Sequence, residues 1–330
     1  MHKMKVERIL TERNKDFHAW MDLVYEWEDI FSRELGIPLG DAAPAAYGKW
    51  AGKLYRRLPW LLRMRAPSVP AFRFELVLNL YCRAYNRKNI IPCIVDFYMR
   101  DRARDFINNY RHNPVVLVSS REACAYLEEL GCTSHVNVQH LALSLPDTYR
   151  LNPQDVPEKK YDLVLNGRQN PVLREYAQRY AESHPDFLYV YCERNENDYV
   201  YSTSAGETLG NMRTREDYMQ LLRQSRTGLY STPGMDDPTM RSQGFNQVTP
   251  RFLELLACGC HVIARYKENP DTEYYELNRF SPSVDGYGQF EEAMDNARAT
   301  APDLAMYAAY LENHYTSRRA QELKSILEKL

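Results

Sequence analysis

One carboxylate stands inside an apolar segment in the C-terminal third of the chain. In FLELLACGCHVIA, residues 252–264, Glu254 has a leucine on each side. A carboxylate on such a helix has two interpretations. It forms a cap or a salt bridge with a neighbouring residue, or it accepts hydrogen bonds from the vicinal diol of a ligand, as an acidic residue does in dinucleotide-binding folds. The segment alone is compatible with both.

Groups that bind anions come directly before this glutamate. Thr249 is a candidate N-cap, and Pro250 suits the first position of a helix. The N–H groups of a first helical turn bind phosphate, and Arg251 adds a guanidinium within that turn. We therefore expect the start of this helix to hold a phosphate, and we expect Gly259 to end the helix before a strand.

A second candidate phosphate site lies in YDLVLNGRQNPVLREY, residues 161–176. An apolar strand ends at Gly167, which permits a tight turn, and Arg168 follows. Asn170 is a candidate N-cap for the next helix, with Pro171 at its first position. A planar guanidinium at the end of the strand suits a phosphate. An arginine on the surface of the loop is the alternative interpretation.

Two residues of the N-terminal half are candidates for proton transfer. Asp96, in IVDFY, ends an apolar strand and is a candidate base for a substrate hydroxyl. His140, in VQHLALSLP, lies on another apolar strand, where a hydrogen-bonded core histidine is the alternative. We therefore assign Asp96 as the catalytic candidate of this half.

The polar loop LYSTPGMDDPTMRSQGFNQ precedes the helix of Glu254. Gly234 and Gly244 permit the backbone to approach a ligand closely. Asp236 and Asp237 are adjacent, but no further metal ligands stand at suitable spacing, and the chain has no second cysteine pair to match its C-x-C. We expect no metal.

The composition excludes several classes of protein. The 330 residues are 44% apolar and 26% charged, which is ordinary for a folded soluble protein. A net charge of −2 gives no drive towards nucleic acid or an anionic membrane. The charged N-terminus does not have the pattern of a signal peptide, and no run approaches the roughly 20 apolar residues of a membrane span. The seven cysteines favour a reduced, cytoplasmic protein.

The elements that position these residues begin with helices over about residues 16–64. Residues 16–35 carry apolar side chains at spacings of three and four. Residues 47–64, YGKWAGKLYRRLPWLLRM, predict a second helix that is basic and aromatic. This helix faces a membrane or a polysaccharide acceptor, or it packs its apolar stripe and exposes its charges.

Strands and helices then alternate to the end of the chain. Continuous apolar strands between helices predict parallel sheets that are covered on both faces. A polar segment with prolines, Leu151 to Lys160, separates two such series, so we predict domains 1–150 and 151–330. Ligands of open α/β sheets bind beyond the carboxyl ends of the strands, and two domains would place those ends across a shared cleft.

The order of these motifs resembles that of bacterial GT-B glycosyltransferases of family 1, the type that includes spore-maturation-like glycosyltransferases. FLELLACGCHVIA resembles the FEALACG motif of their donor site, and VLNGRQ stands where they have a VGR loop. The family's helix and LP crossover are similar to VVLVSSREACAYLEELG followed by NVQHLALSLPD. The family's C-terminal helix is similar to NHYTSRRAQELKSIL. The resemblance covers about residues 90–330.

The resemblance implies an α/β GT-B fold, with two Rossmann-like domains facing a central cleft. The extra helices at the N-terminus, over about residues 1–70, lie outside the resemblance. The resemblance implies an acceptor in the N-terminal domain and a nucleotide sugar in the C-terminal domain. Glu254 would bind the ribose of the nucleotide. Arg168 and the helix start at Thr249 would bind the diphosphate, with Gly167 and Arg251 beside them.

One residue departs from the family pattern. Many retaining relatives carry a glutamate eight residues before the one that binds ribose, and that position here is Asn246. An amide forms hydrogen bonds with a sugar hydroxyl but supplies no negative charge. Retention without a nucleophile, and inversion with Asp96 as base, both stay open.

These observations predict an enzyme without a cofactor or a metal. It would transfer a hexose from a UDP- or GDP-sugar to a glycan or lipid-linked acceptor in capsule, exopolysaccharide or lipopolysaccharide assembly. We expect it in the cytoplasm or at the inner face of the membrane, with peripheral membrane contact and no nucleic acid partner. The alternatives are a GT-B-type sugar-nucleotide epimerase and a non-catalytic subunit that binds a nucleotide or a glycan.

Overall fold

The computed structural model describes residues 5–11, 13, 21–41, 68–75, 86–167, 169–195, 198–236 and 242–330. The chain forms two compact units, Met1–Asp147 with Thr316–Leu330, and Thr148–Tyr315. Each unit contains one six-stranded sheet and several helices. Within the described ranges, no helix has the length and apolar character needed to cross a membrane.

The first unit is built on a parallel sheet with the strand order β2-β1-β3-β4-β5-β6. Its strands are β1 Arg8–Thr11, β2 Leu39–Asp41, β3 Ala71–Glu75, β4 Ile90–Ile94, β5 Val116–Val118 and β6 Val138–His140. Its helices are α1 Asp22–Leu35, α2 Ala103–Tyr110, α3 Arg121–Glu129 and α11 Thr316–Leu327. Every residue of β4 and β5 is buried, as expected for parallel strands covered on both faces.

The N-terminal region and the C-terminal helix differ from the pattern that we expected. Helix α1 lies in the predicted helical region, but β1 and β2 are strands, and they complete one edge of the sheet. Helix α11 packs against α1, because Ala320 and Leu323 enter the apolar core of the first unit. The second unit therefore ends at Tyr315 rather than at residue 330. The predicted helix over residues 47–64 lies outside the described residues.

The second unit has a mixed sheet with the strand order β10-β9-β8-β7-β11-β12. Its strands are β7 Tyr161–Val164, β8 Tyr189–Asn195, β9 Asp198–Thr203, β10 Thr208–Asn211, β11 Ser225–Ser231 and β12 His261–Arg265. Its helices are α4 Pro171–Ser183, α5 Arg215–Arg223, α6 Arg251–Ala257, α7 Pro270–Tyr274, α8 Leu277–Phe280, α9 Tyr287–Ala299 and α10 Leu304–Leu311. Strands β8, β7, β11 and β12 are parallel, and β9 and β10 extend the sheet as antiparallel strands.

The order of the parallel strands predicts where a ligand site would lie in the second unit. The chain leaves β7 for β8 on one side and later returns to place β11 on the other side. In open α/β sheets, ligands bind beyond the carboxyl ends of the two strands that flank such a reversal. Residues that follow Val164 at the end of β7, and residues that follow Ser231 at the end of β11, are therefore the first candidates for a site.

Candidate functional site

A small cavity lies at the carboxyl ends of β7 and β11, beside the start of α4. Its volume is about 240 Å³, including the solvent at its mouth, and Asn166 and Asn170 are among its polar lining residues. Asn170 caps α4 as predicted, since its side chain accepts hydrogen bonds from the amides of Val172 and Leu173.

Gly167 and Arg251, two of the predicted site residues, lie in contact. Gly167 has φ of +60°, and a Cβ at this position would lie 2.5 Å from Nη2 of Arg251. Burial acts to lower the pKa of Arg251, but the neighbouring Tyr218 and Glu254 raise it above its ordinary value. A charged guanidinium therefore lies against the glycine turn that follows β7.

Glu254 is buried, with 3% of the residue exposed, although it lies on the same helix as Arg251. Its Oε1 lies 2.6 Å from Nη2 of Arg215, and its Oε2 lies 3.0 Å from the hydroxyl of Tyr218. The sequence allowed two interpretations of Glu254, and a salt bridge with a neighbouring residue was one of them. The structure shows this salt bridge. The contact between Glu254 and a ribose stays a prediction.

Tyr218 connects this ion pair to the cavity. Burial and the Glu254 carboxylate raise the pKa of Tyr218 well above its ordinary value, so the phenol keeps its proton and donates it. The amide Nδ2 of Asn166 donates to the Tyr218 oxygen at 2.7 Å. Sequence reasoning missed Asn166, Arg215 and Tyr218, because no local pattern connects them to a glutamate so far along the chain.

The start of α6 differs from the expected capped helix. The helix begins at Arg251, and Pro250 is its N-cap residue, which supplies no side-chain hydrogen bond. Thr249 does not cap the helix, and its backbone amide instead donates to the hydroxyl of Tyr230 at 3.0 Å. A phosphate site at this end of α6 therefore depends on Arg251 more than on the cap that we predicted.

Asn246 is buried in the loop between β11 and α6. Its Oδ1 accepts from the hydroxyl of Thr232 at 2.8 Å, and its Nδ2 donates to the carbonyl of Gly244 at 3.0 Å. A Cβ at Gly234 would lie 2.7 Å from the carbonyl oxygen of Phe245, so the two arms of the loop pack closely. These bonds stabilise the loop, and the catalytic role of Asn246 stays a prediction.

Asp236 belongs to the sequence MDDP, whose adjacent carboxylates we considered as metal ligands. Its carboxylate accepts hydrogen bonds from two neighbouring residues. Its Oδ2 accepts from Nε of Arg265 at 2.7 Å and from Nδ2 of Asn170 at 3.0 Å. Burial acts to raise the pKa of Asp236, but these two hydrogen bonds outweigh it and lower the pKa below its ordinary value. Asp237 lies outside the described residues. In the part of the chain that the structure describes, no three histidine, cysteine or acidic residues are grouped to hold a metal.

Three candidate residues from the sequence remain, Asp96, His140 and Arg168. Asp96 follows β4 in the first unit and is half-buried. His140 ends β6, where burial first, and then Arg121 and Arg319, lower its pKa to about 4. Its imidazole is therefore neutral at neutral pH, as expected for a core histidine. Arg168 lies outside the described residues.

A comparison with protein families identifies most of the second unit. Residues 174–325 match a family described as glycosyl transferase-like. This segment is similar to that family. The glycosyl transferase-like segment contains Arg215, Arg251 and Glu254, and the resemblance that the sequence motifs indicated is confirmed. No curated protein sequence matches the chain.

Solved structures extend the similarity to the whole fold. Sucrose-phosphate synthase from Thermosynechococcus elongatus superposes with a TM-score of 0.59 at 9% identity, over 98% of each chain. A structure of accessory secretory protein 1, 2 and 3 in Streptococcus pneumoniae superposes with a TM-score of 0.52 at 13% identity, over 84% of this chain and 56% of that one. At such identities the similarity concerns the fold alone. The predicted α/β fold of the GT-B type is confirmed.

Proposed function

We propose that this protein is a glycosyltransferase that takes a sugar from a nucleotide-sugar donor, with the donor bound in the second unit. One observation carries the proposal. Arg251 lies against the glycine turn at Gly167, and Glu254 lies on the same helix, at the carboxyl edge of the sheet where α/β proteins bind ligands. The match of residues 174–325 to a glycosyl transferase-like family supports it.

The charges of Arg215, Arg251 and Glu254 suit a diphosphate. Arg215 and Glu254 form an ion pair, and Arg251 brings a further guanidinium to the glycine turn at Gly167. Gly167 exposes backbone at the turn, and a glycine permits phosphate oxygens to approach closely. Arg168, which follows Gly167 in the sequence, would add another guanidinium to the proposed site. The donor would be a UDP- or GDP-sugar, used as a co-substrate without a further cofactor.

The transfer would not depend on a metal. Divalent cations serve many phosphate sites by neutralising charge, and here arginines would do so. Asp236 supports this part of the proposal, because its carboxylate forms an ion pair with Arg265 and a hydrogen bond with Asn170. An acid that is neutralised in this way attracts a cation weakly.

The acceptor would be a glycan or a lipid-linked saccharide of a bacterial surface polysaccharide. The basic, aromatic sequence of residues 47–64 supports an acceptor at a membrane surface. Asp96, at the carboxyl end of a strand in the first unit, would be the base for its hydroxyl. The reaction would then take place in the cytoplasm, at the inner face of the membrane.

A non-catalytic subunit that binds a nucleotide or a glycan is the second candidate. Asn246 favours it, because an amide replaces the glutamate that many retaining relatives carry. Its side chain forms hydrogen bonds within its own loop, to Thr232 and Gly244. A protein with this feature would bind the donor without transferring its sugar.

A donor screen tests these proposals. The full-length protein is incubated with each common UDP- and GDP-sugar, with and without oligosaccharide and polyprenyl-linked acceptors, and the release of nucleoside diphosphate is measured. Release that requires an acceptor supports the transferase. Release without any acceptor points to hydrolysis of the donor, and conversion of the donor into another nucleotide sugar without release points to an epimerase. Binding in calorimetry without release supports the non-catalytic subunit, and neither binding nor release refutes both candidates.

A further inference from the structure

Two side chains of helix α5 hold the buried carboxylate of Glu254. Nη2 of Arg215 lies 2.6 Å from Oε1, and the Tyr218 hydroxyl lies 3.0 Å from Oε2. Arg215 and Tyr218 are three positions apart, so they lie on the same face of the helix. The Glu254 side chain is 4% exposed, and a charge buried to this extent is stable only beside such partners.

The chemistry of these groups determines the direction of each hydrogen bond. An ionised carboxylate only accepts, so Tyr218 donates its single proton to Glu254. The Tyr218 oxygen therefore accepts from Nδ2 of Asn166, at 2.7 Å. This orients the amide of Asn166, and among the described residues its Oδ1 has no hydrogen-bond partner.

Asn166 is the end of this network that lies at the cavity. Asn166 is 2% exposed and lines the cavity at the carboxyl ends of β7 and β11. The hydrogen bonds through Tyr218 therefore connect the Glu254 carboxylate to the wall of that cavity.

We propose that Arg215 and Tyr218 are positioning residues, which hold the Glu254 carboxylate for the vicinal diol of the donor's ribose; this rests on the function proposed above. An ionised carboxylate offers about four acceptor positions, two on each oxygen. Arg215 occupies one position on Oε1, and Tyr218 occupies one on Oε2. One acceptor position is then left on each oxygen, and two adjacent acceptors match two adjacent hydroxyl groups.

The surroundings of Arg215 explain why arginine suits this task better than lysine. Its Cζ lies 5.4 Å from the ring centroid of Tyr149 and 5.5 Å from that of Tyr218. Aromatic rings beside a planar guanidinium restrict its orientation, and the orientation of the carboxylate is restricted with it. Lysine keeps the charge but loses the plane, so Arg215→Lys changes the positioning while it preserves the electrostatics.

The test measures how strongly binding depends on the ribose diol. Calorimetry compares UDP and GDP with their 2′,3′-dideoxy analogues and with inorganic pyrophosphate. For the wild-type protein we expect the diol to improve affinity by about 10- to 150-fold. In Arg215→Lys and in Tyr218→Phe we expect this diol preference to decrease by at least about fivefold, while the affinity for pyrophosphate changes by less than about twofold.

A matched control and a second variant make each outcome decisive. Arg223→Lys on the same helix changes an exposed ion pair with Asp155 and should leave the diol preference unchanged. Tyr218→Phe keeps the ion pair of Arg215 with Glu254, so it is measurable even where Arg215→Lys does not fold. A folded variant with wild-type diol preference, or an equal loss of affinity for the diphosphates, their dideoxy analogues and pyrophosphate, overturns the positioning role alone. A wild-type protein that binds none of the diphosphates refutes the proposed function, and the positioning role falls with it.

Discussion

Arg251 lies against Gly167, and the contact leaves no room for a side chain on the glycine. A Cβ at position 167 would lie 2.5 Å from Nη2 of Arg251, and the glycine has φ of +60°. The contact brings a guanidinium from α6 to the turn that follows β7. Two segments that the sequence presented as separate candidate phosphate sites therefore lie in contact in the structure.

Replacing Gly167 should weaken ligand binding and stability together. The Cβ of Gly167→Ala would displace the Arg251 guanidinium, so we expect nucleoside-diphosphate affinity to decrease by at least about tenfold in calorimetry. Alanine is strained in the left-handed region, so the free energy of unfolding should decrease by about 1–2 kcal/mol in urea titrations.

Gly206→Ala separates the backbone strain from the contact with Arg251. Gly206 has φ of +88°, and nothing lies within 4 Å of the position of its Cβ. This variant should lose stability to a similar extent and keep the wild-type affinity. An equal loss of affinity in both variants would attribute the effect to strain and not to Arg251.

Removing the charge of Glu254 should affect the fold as well as the ligand. Glu254→Gln leaves Arg215, whose side chain is 13% exposed, without its counter-charge. We expect the free energy of unfolding to decrease by about 2–4 kcal/mol, since one partner of a buried pair is left alone. Nucleoside-diphosphate affinity in the folded protein should decrease by about 10- to 150-fold, because the proposed charge-assisted hydrogen bonds to the ribose would be lost.

Glu312→Gln is the control for this substitution. Glu312 forms an ion pair with Arg150, but its side chain is 57% exposed, so its loss should cost at most about 1 kcal/mol. Its donor affinity should equal that of the wild type. A Glu254→Gln protein that loses stability and keeps full affinity would limit Glu254 to a structural role.

The first unit should become less stable as the pH falls below about 6.5, because of His140. Its folded-state pKa is lowered to about 4, by burial first and then by Arg121 and Arg319. The unfolded chain binds the proton more readily than the folded one, so the stability from the neutral imidazole is complete above the unfolded pKa. This stability is lost progressively down to pH 4, and the free energy of unfolding should decrease by roughly 3 kcal/mol.

His140→Gln tests this dependence, since glutamine forms hydrogen bonds but does not titrate. Urea titrations at pH 7, 6, 5 and 4 give the free energy of unfolding of both proteins. The wild-type value should decrease more steeply with falling pH than that of the variant. Parallel curves for the two proteins would show that His140 does not titrate differently in the folded and unfolded chains.

Chelation should leave donor binding intact. EDTA is expected to change nucleoside-diphosphate affinity by less than about twofold, because arginines neutralise the diphosphate in the proposed site and Asp236 is paired with Arg265. Calorimetry before and after chelation measures this. Loss of binding that magnesium or manganese restores would instead assign a metal to the loop of Asp236.

Features with a local cause could be predicted from the sequence. Asn170 before Pro171 predicted a capped helix, and the cap is confirmed, because its bonds reach only two and three residues along the chain. Apolar strands between helices predicted parallel sheets, and the sheets are parallel over most of their width. The order of short motifs predicted the fold type, since each motif places a turn or a helix start at the end of a strand.

Only the tertiary structure decided which side chains meet. Glu254 was visible as a carboxylate in an apolar segment, but its partner Arg215 lies 39 positions earlier, on another helix. The C-terminal helix α11 joins the first unit because Leu323 completes an apolar core there, and no signal in its own residues specifies that core. Helix and strand signals arise from neighbours along the chain. Salt bridges and packing depend on distances between residues in space, and these distances are set only when the chain folds.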